Sequence, residues 1–358
     1  MRSADHTQTS MFNTLTAEAA VPERHPIRRI LPLCQVALRG LSVDFEALYS
    51  KLGRPSIPPE QLLRALLLQM LYSVRSERQL MEQLRYNLLF RWFVGLNADE
   101  PVWDATSFTK NRDRFLRGEI AQKFLHHVVE QARQQELLSA EHFTVDGTLL
   151  EAWASMKSYH KKPSPPERGT GSRGQMLRRD THSSTTDPDA CLYRKSAGGE
   201  FKLSYLGHVL MENRNGLPVA AQVTRAEPKG EWSAAVAMLS GAPRNHRRAT
   251  VGADKGYDEA GLIRQLREAK VTPHVQQRKS ENRTSHIDAR TTRHNGYAVS
   301  LKKRKAVEHI FGWLKNTAGL HRLRHRGAPL VGWMFTLATS AYCLVRMTRL
   351  LAPNPARS

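Results

Sequence analysis

Three acidic residues of this chain have the setting that divalent-metal chemistry requires. Asp146 ends the apolar run His142-Phe-Thr-Val-Asp146, and Asp254 ends Ala249-Thr-Val-Gly-Ala-Asp254; a glycine follows each within two residues. An acid at the end of a strand projects into a rim and keeps its charge in water. Glu308 lies in a helical pattern, where a longer side chain can reach back to the strands. Three such carboxylates can hold two Mg²⁺ ions, with Mn²⁺ as an alternative, roughly 3.5–4 Å apart. One ion would lower the pKa of a water or 3′-hydroxyl nucleophile, and the other would stabilise the leaving oxygen of an in-line displacement at phosphorus. Hard oxygen donors suit Mg²⁺, whereas the sequence has no Cys/His cluster for zinc. Strand ends are often polar, so Asp146 and Asp254 taken alone also read as ordinary surface acids.

The pattern around Glu308 adds cations to the acids. If residues 302–314 form one helix, Arg304, Glu308 and Lys315 stand at i, i+4 and i+11 and fall within about 40° of one another. Val307, Ile310, Phe311 and Leu314 form the neighbouring apolar stripe. Arg304 and Lys315 would then be placed to bind phosphates beside a scissile bond, although an i,i+4 pair of Arg304 with Glu308 is the simpler alternative. Upstream, residues 278–305 hold nine Lys or Arg against two acids, with Arg290, Arg293 and His294 just before the Glu308 helix. A second basic tract runs from Lys157 to Arg179. Both tracts flank the acids in sequence, which favours contact with DNA phosphates.

The whole chain has the same bias. Its 358 residues carry 54 Lys and Arg against 33 Asp and Glu, a formal charge of +21, and 40% are hydrophobic. That excess points to a polyanionic partner, nucleic acid first, with enough apolar mass for a sizeable core. Cys34, Cys191 and Cys343 are far apart and form no CxxC pair, so neither a zinc knuckle nor a disulfide framework is expected. No signal peptide begins the sequence. The apolar stretch Val331–Val345 is too short to cross a bilayer and includes Thr336, Thr339 and Ser340, so a buried helix and no membrane are expected. Gly169-Thr-Gly-Ser-Arg-Gly174 fits GxGxxG without a strand before it or a helix after it, which argues against a dinucleotide site. His321 and His325 lack the Glu of an HExxH motif and read as part of a basic surface helix with Arg322, Arg324 and Arg326.

The elements that must position the acids follow. Residues 1–25 read as a disordered polar start and 26–138 as a helical module that binds DNA ends or a partner. Pro58-Pro59 open a helix carrying Leu63, Leu66, Leu67 and Met70; Ser76 and Gln79 cap the next; a third starts near Thr106 or Ser107 and carries Lys110, Arg112 and Arg114. Residues 139–352 read as an α/β catalytic domain, interrupted at about 156–200 by a basic insertion expected to be poorly ordered. Strands are expected at 142–146, 201–211, 217–223, 249–254 and 271–275, with a hairpin turn at Asn213-Arg-Asn-Gly216. Helices are expected at 232–239, 260–269 and 302–314.

Asp254-Lys-Gly-Tyr-Asp258 together with Arg304-x3-Glu308-x6-Lys315 resembles the DDE transposases of bacterial insertion sequences. Thr291-Thr-Arg-His294, Phe311-Gly-Trp-Leu-Lys315, Gly53-Arg-Pro-Ser-Ile-Pro-Pro59 and Phe143-Thr-Val-Asp-Gly-Thr148 look like the insertion-sequence-five group. The resemblance runs from about residue 27 to residue 350. It implies an RNase H-like mixed sheet with flanking helices, preceded by the helical module. It also implies binding of transposon terminal inverted repeats in double-stranded DNA, Mg²⁺-dependent cleavage, and joining of 3′ ends to target DNA. Carried over residue by residue, Asp146, Asp254 and Glu308 are the metal ligands and Arg304 and Lys315 accessory cations. A homo-oligomer on paired ends and a cytoplasmic, nucleoid-associated bacterial protein go with that picture. The chain departs from the pattern at Leu301, where related elements place a tyrosine, which leaves a role for Tyr297 open, and at Asn295, where a proline is expected. A DNA-binding protein without catalysis, and a nuclease that cuts without joining, are the rival functions.

Overall fold

Proline and small polar caps set the first helices where the sequence places them. In a computed structural model of the chain, the residues described are 2, 17–50, 52–53, 55–162, 182–194, 199–227, 230–242, 249–278 and 284–352. The N-terminal helices are α1 (Ala17–Ala20), α2 (Ile27–Gly40), α3 (Ser42–Leu48), α4 (Pro59–Leu71), α5 (Glu77–Tyr86), α6 (Leu88–Val94), α7 (Ala105–Arg117) and α8 (Ile120–Gln134). Pro59 occupies the first turn of α4, where its missing N–H costs nothing. Ser76 Oγ accepts the Gln79 N–H at 3.1 Å at the start of α5, and Gln79 Oε1 accepts the Arg75 N–H at 3.0 Å. Asp104 caps α7 in the same way. Helix α4 is buried along almost its whole length rather than on one face, which makes it the centre of this unit's core. Of the polar start expected over 1–25, residues 1 and 3–16 lie outside the described residues. Residues 17–25 are not frayed: Val21 is buried, and Glu18 receives the Arg28 guanidinium and the Trp92 indole N–H.

The second set of elements is β1 (His142–Glu151), β2 (Tyr159–Lys161), β3 (His182–Ser184), β4 (Cys191–Tyr193), β5 (Lys202–Glu212), β6 (Pro218–Arg225), α9 (Gly230–Gly241), β7 (Ala249–Ala253), α10 (Ala260–Glu268), β8 (Val271–Val275), α11 (Ala289–Thr292), α12 (Asn295–Arg304), α13 (Val307–Asn316) and α14 (Ala328–Leu350). The main sheet is mixed and six-stranded, in the order β4-β5-β1-β7-β8, with β6 also on β5. Strands β1, β5 and β6 pair antiparallel, whereas β7 and β8 run parallel to β1. The expected hairpin turn joins β5 to β6, with Gly216 at φ +69°, a conformation that side chains disfavour.

Helices cover both faces of the sheet. A Cβ on Gly252 or Gly207, whose register partners Thr144 and Thr148 share one pleat face, would meet α12 at Ser300 or α14 at Phe335. A Cβ on Gly147, on the opposite pleat face, would meet Glu231 of α9. Within the expected insertion, residues 163–181 and 195–198 lie outside the described residues, and with them the GxGxxG tract; the described remainder carries β2, β3 and β4.

The chain forms two compact units that do not follow a single cut. One comprises residues 1–139, 312–319 and 336–358, and the other 140–311 and 320–335. The ends of α13 and α14 therefore join the helical unit, whereas the sequence placed 139–352 in one domain. Helix α14 is longer than the apolar stretch that announced it and by length and composition alone could cross a membrane; 67% of its most apolar window is buried inside the protein.

Candidate active site

The sheet register brings the two aspartates together. Strand β1 pairs with β7 from His142↔Thr250 to Thr144↔Gly252, and pairing stops there. Two residues further along each strand stand Asp146 and Asp254. Asp146 does not end its strand, as the sequence suggested: β1 continues to Glu151 because β5 still pairs with it, Asp146 facing Val209. What ends at Asp146 is the pairing with β7, and the acid sits where the sheet opens. Asp254 follows the last residue of β7, and its Oδ1 accepts the Gly256 N–H at 2.7 Å, capping a short 3-10 turn over 255–257. Asp146 Oδ1 accepts the Gly147 N–H at 2.8 Å.

Glu308 reaches this unit from a helix, but not from the one expected. The predicted helix over 302–314 is broken at Lys305 and Ala306, where α12 ends and α13 begins. Successive three-residue hydrogen bonds, Ala306 N–H to Lys303 O at 3.0 Å, Glu308 N–H to Lys305 O at 3.2 Å and His309 N–H to Ala306 O at 3.2 Å, tighten the chain there. Arg304 and Glu308 are thus not on one regular helical face. Glu308 is exposed in the first turn of α13, where a negative charge complements the helix dipole.

The carboxylates nevertheless act on one another. Burial, with the charges of Asp254 and Glu308, pushes the Asp146 carboxyl up to about 6 against the lowering effect of the Gly147 N–H and of Arg304. A fourth acid, Glu231 of α9, belongs to the same field: burial, Asp254 and Asp146 push it up to about 7. Burial and then Glu231, Asp146 and Asp254 also raise the Tyr257 hydroxyl. Sequence reasoning missed both. Glu231 in the first turn of a short helix looks like an ordinary dipole-complementing acid, and Tyr257 was read only as part of the Asp254–Asp258 motif.

By donor type the group fits a hard divalent cation: the ligands are carboxylate oxygens, and Asp146 and Asp254 each engage one oxygen with a backbone N–H. Among the described residues, no three His, Cys, Asp or Glu side chains are close enough to hold one ion as they stand. A pair of ions, each taking fewer protein ligands, asks less of the set than one ion gripped by all three.

The expected basic residues divide. Arg293 and His294 are exposed. Arg290 is exposed too, but its Nη2 lies 2.6 Å from Asp288 Oδ2. Arg304 Nη2 donates to Gln276 Oε1 at 3.4 Å, and its buried Nε has no partner among the described residues. Lys315 belongs to the other compact unit. Tyr297 does not enter the acid group: its hydroxyl donates to the Val275 carbonyl at 2.9 Å.

Two family models match the chain. Residues 15–114 match Transposase domain (DUF772), and residues 180–344 match the Transposase DDE domain, a stretch that includes Glu231, Asp254 and Glu308. Among solved structures, the piggyBac transposase synaptic complex with hairpin DNA is similar at a TM-score of 0.38 and 11% identity, over 93% of this chain and 77% of that one. The Mos1 strand transfer complex gives a TM-score of 0.21 and 10% identity over 80% and 86% of the two chains. Likenesses of that size carry no weight beside the family matches.

Proposed function

We propose, from the premise that the chain is a DNA transposase of the DDE type, that Asp146, Asp254 and Glu308 are its catalytic carboxylates and hold two Mg²⁺ ions. The enzyme cleaves DNA and transfers strands in a metal-dependent reaction. The observation that carries the residue assignment is the register of β1 and β7, whose last pair, Thr144↔Gly252, lies two residues before Asp146 on one strand and two before Asp254 on the other. The part that Glu308, with Asp254, plays in raising the Asp146 carboxyl supports the third member. An antiparallel β1-β5-β6 meander followed by β7 and β8 parallel to β1 supports an RNase H-like reading of the sheet.

The substrates on this reading are the terminal inverted repeats of an insertion sequence of the insertion-sequence-five group, followed by target DNA, handled by an oligomer on paired ends. Bound to the carboxylates, the ions would activate the attacking oxygen and stabilise the leaving one. The chain's own cations do the rest. Arg304, beside Asp146, would hold a phosphate at the metal centre, while Arg293, His294 and Lys315 would fix the position of the duplex without reading its bases; Arg290, expected with them, is held by Asp288. The helical module α2–α8 is the candidate reader of the ends.

Assaying cleavage and strand transfer separately on Asp146→Asn, Asp254→Asn and Glu308→Gln tests the assignment. Each should lose both activities while duplex binding is kept, because metal ligands act on the transition state more than on docking. Near wild-type cutting by Glu308→Gln would overturn it.

A further inference from the structure

Glu231 has no hydrogen bond and no ion pair with any described residue, although it is only partly accessible. Its place depends on Gly147. A Cβ there would lie 3.3 Å from Glu231 Oε1 and 3.3 Å from His208 Nδ1, so the missing side chain leaves both groups against the backbone that immediately follows Asp146. Two further groups around it are unsatisfied. His208 is 0% exposed; its Nε2 pairs with Thr224 Oγ1 at 2.8 Å, but its Nδ1 has no partner among the described residues. Tyr257 is 1% exposed, and its hydroxyl, which lies in the field of Glu231, Asp146 and Asp254, has none among the described residues either.

We infer that Glu231 is a fourth carboxylate of the metal centre, entering it from α9 on the sheet face opposite α12. A sequestered carboxylate beside two others, with no cation opposite it, raises the energy of the metal-free protein. A divalent ion removes that cost, and Mg²⁺ in particular keeps several of its own waters when it binds to carboxylates. Those waters would offer the O–H donors that the His208 Nδ1 and the Tyr257 oxygen can accept. An ordinary first-turn acid would be exposed and content with the helix dipole. Glu231 is neither: it is only partly accessible, and its Oε1 lies against the backbone at Gly147. The role is one of ligand or positioning group for the ions and rests on the centre proposed above.

Mn²⁺ binding to the full-length, metal-stripped protein, followed by calorimetry and by thermal melting, tests the inference without an activity assay. Glu231→Gln keeps the shape of the side chain and removes its charge. It should weaken Mn²⁺ binding about tenfold or more, raise the melting temperature of the metal-free protein by relieving repulsion, and shrink the rise that Mn²⁺ produces. Glu231→Asp, charged but shorter, should fall between. Asp254→Asn separates this inference from its premise. If Asp254→Asn weakens Mn²⁺ binding while Glu231→Gln binds like wild type, Glu231 is not part of the centre, and the triad stands without it. If Asp254→Asn also binds like wild type, the metal centre fails, and the role of Glu231 with it. A Glu231→Gln protein that melts lower without metal and gains the full Mn²⁺ stabilisation would make Glu231 a packing residue and likewise overturn the inference.

Discussion

Arg290 lies against Asp288, its Nε and Nη2 both donating to Oδ2 at 2.9 and 2.6 Å. Arg267 approaches the same oxygen at 3.3 Å, so Asp288 already serves two cations. Arg293, three residues on, has no such partner among the described residues and is exposed. The two arginines should therefore part in a salt series. Arg293→Ala should lower the log–log salt slope of duplex binding by about 0.9, with sequence preference unchanged. Arg290→Ala should leave the slope in place and change stability little, as breaking an exposed pair usually does. Equal loss of slope in both variants would mean that DNA draws Arg290 away from Asp288.

Asp258 closes the basic loop from the other side. It is 3% exposed, and its two oxygens accept the N–H groups of Arg278 at 2.8 Å and His286 at 2.9 Å. Hydrogen bonds to a charged group contribute about 1.5–3 kcal/mol each. Asp258→Ala should thus destabilise the protein by on the order of 3 kcal/mol, read as a lower urea midpoint. Asp258→Asn, which keeps one acceptor oxygen, should lose less.

Gly207 of β5 leaves room for Phe335 of α14. A Cβ there would come within 2.6 and 2.8 Å of the Phe335 ring and 3.1 Å of Leu150. Gly207→Ala should cost about 1–3 kcal/mol as an overpacked core position. Adding Phe335→Leu should recover part of the loss, a recovery that denaturant titration of the double variant can measure.

The buried imidazoles set an acid-side slope. Burial holds His208 and His274 down at about 4, with His142 and His294 adding to the effect on His274. Unfolded, each titrates near 6.5, about where free histidine does. The unfolded chain therefore takes up protons first as pH falls from about 6.5 to 4, and stability is lost across that window. In the metal-free protein Asp146 and Glu231 oppose this, because their raised values favour proton uptake by the folded state over much of the same range. His274 also pairs through Nδ1 with Ser300 Oγ at 2.7 Å. His274→Gln should be less stable than wild type at pH 7.5, and the deficit should narrow toward pH 4. Urea midpoints at four or five pH values would show it; a constant deficit would mean that His274 titrates normally.

Much of the sheet was legible because its signals are local. Alternating apolar runs located β7 and β8 to within a residue, and the Asn213–Gly216 turn located the β5–β6 hairpin. The extent of β1 was not legible. Asp146 looks like a strand terminus in sequence, and only pairing with β5, some sixty residues away, carries the strand past it. The break at Lys305 and Ala306 was equally hidden, since neither residue is a helix breaker. Glu231 lacked any motif: its significance comes from Gly147, more than eighty residues earlier, which makes room for it. Chemistry written in contiguous residues could be read in advance; chemistry assembled by an absent side chain on another strand could not.

The assignment of residues 336–358 to the same compact unit as residues 1–139 bears on how the protein is made. Domains generally fold in the order in which they leave the ribosome. Here the first unit to emerge cannot be completed until nearly the last helical turn of α14 has been synthesised. Its long-range closure carries the loop entropy of the whole intervening sheet. Until then the apolar surface destined for Leu337, Ala341, Leu344 and Met347, all fully buried in the finished protein, has no cover. A nascent chain of this design would spend most of its synthesis as a client for chaperones, and a chain stopped short of α14 would yield an aggregation-prone fragment rather than a free helical module.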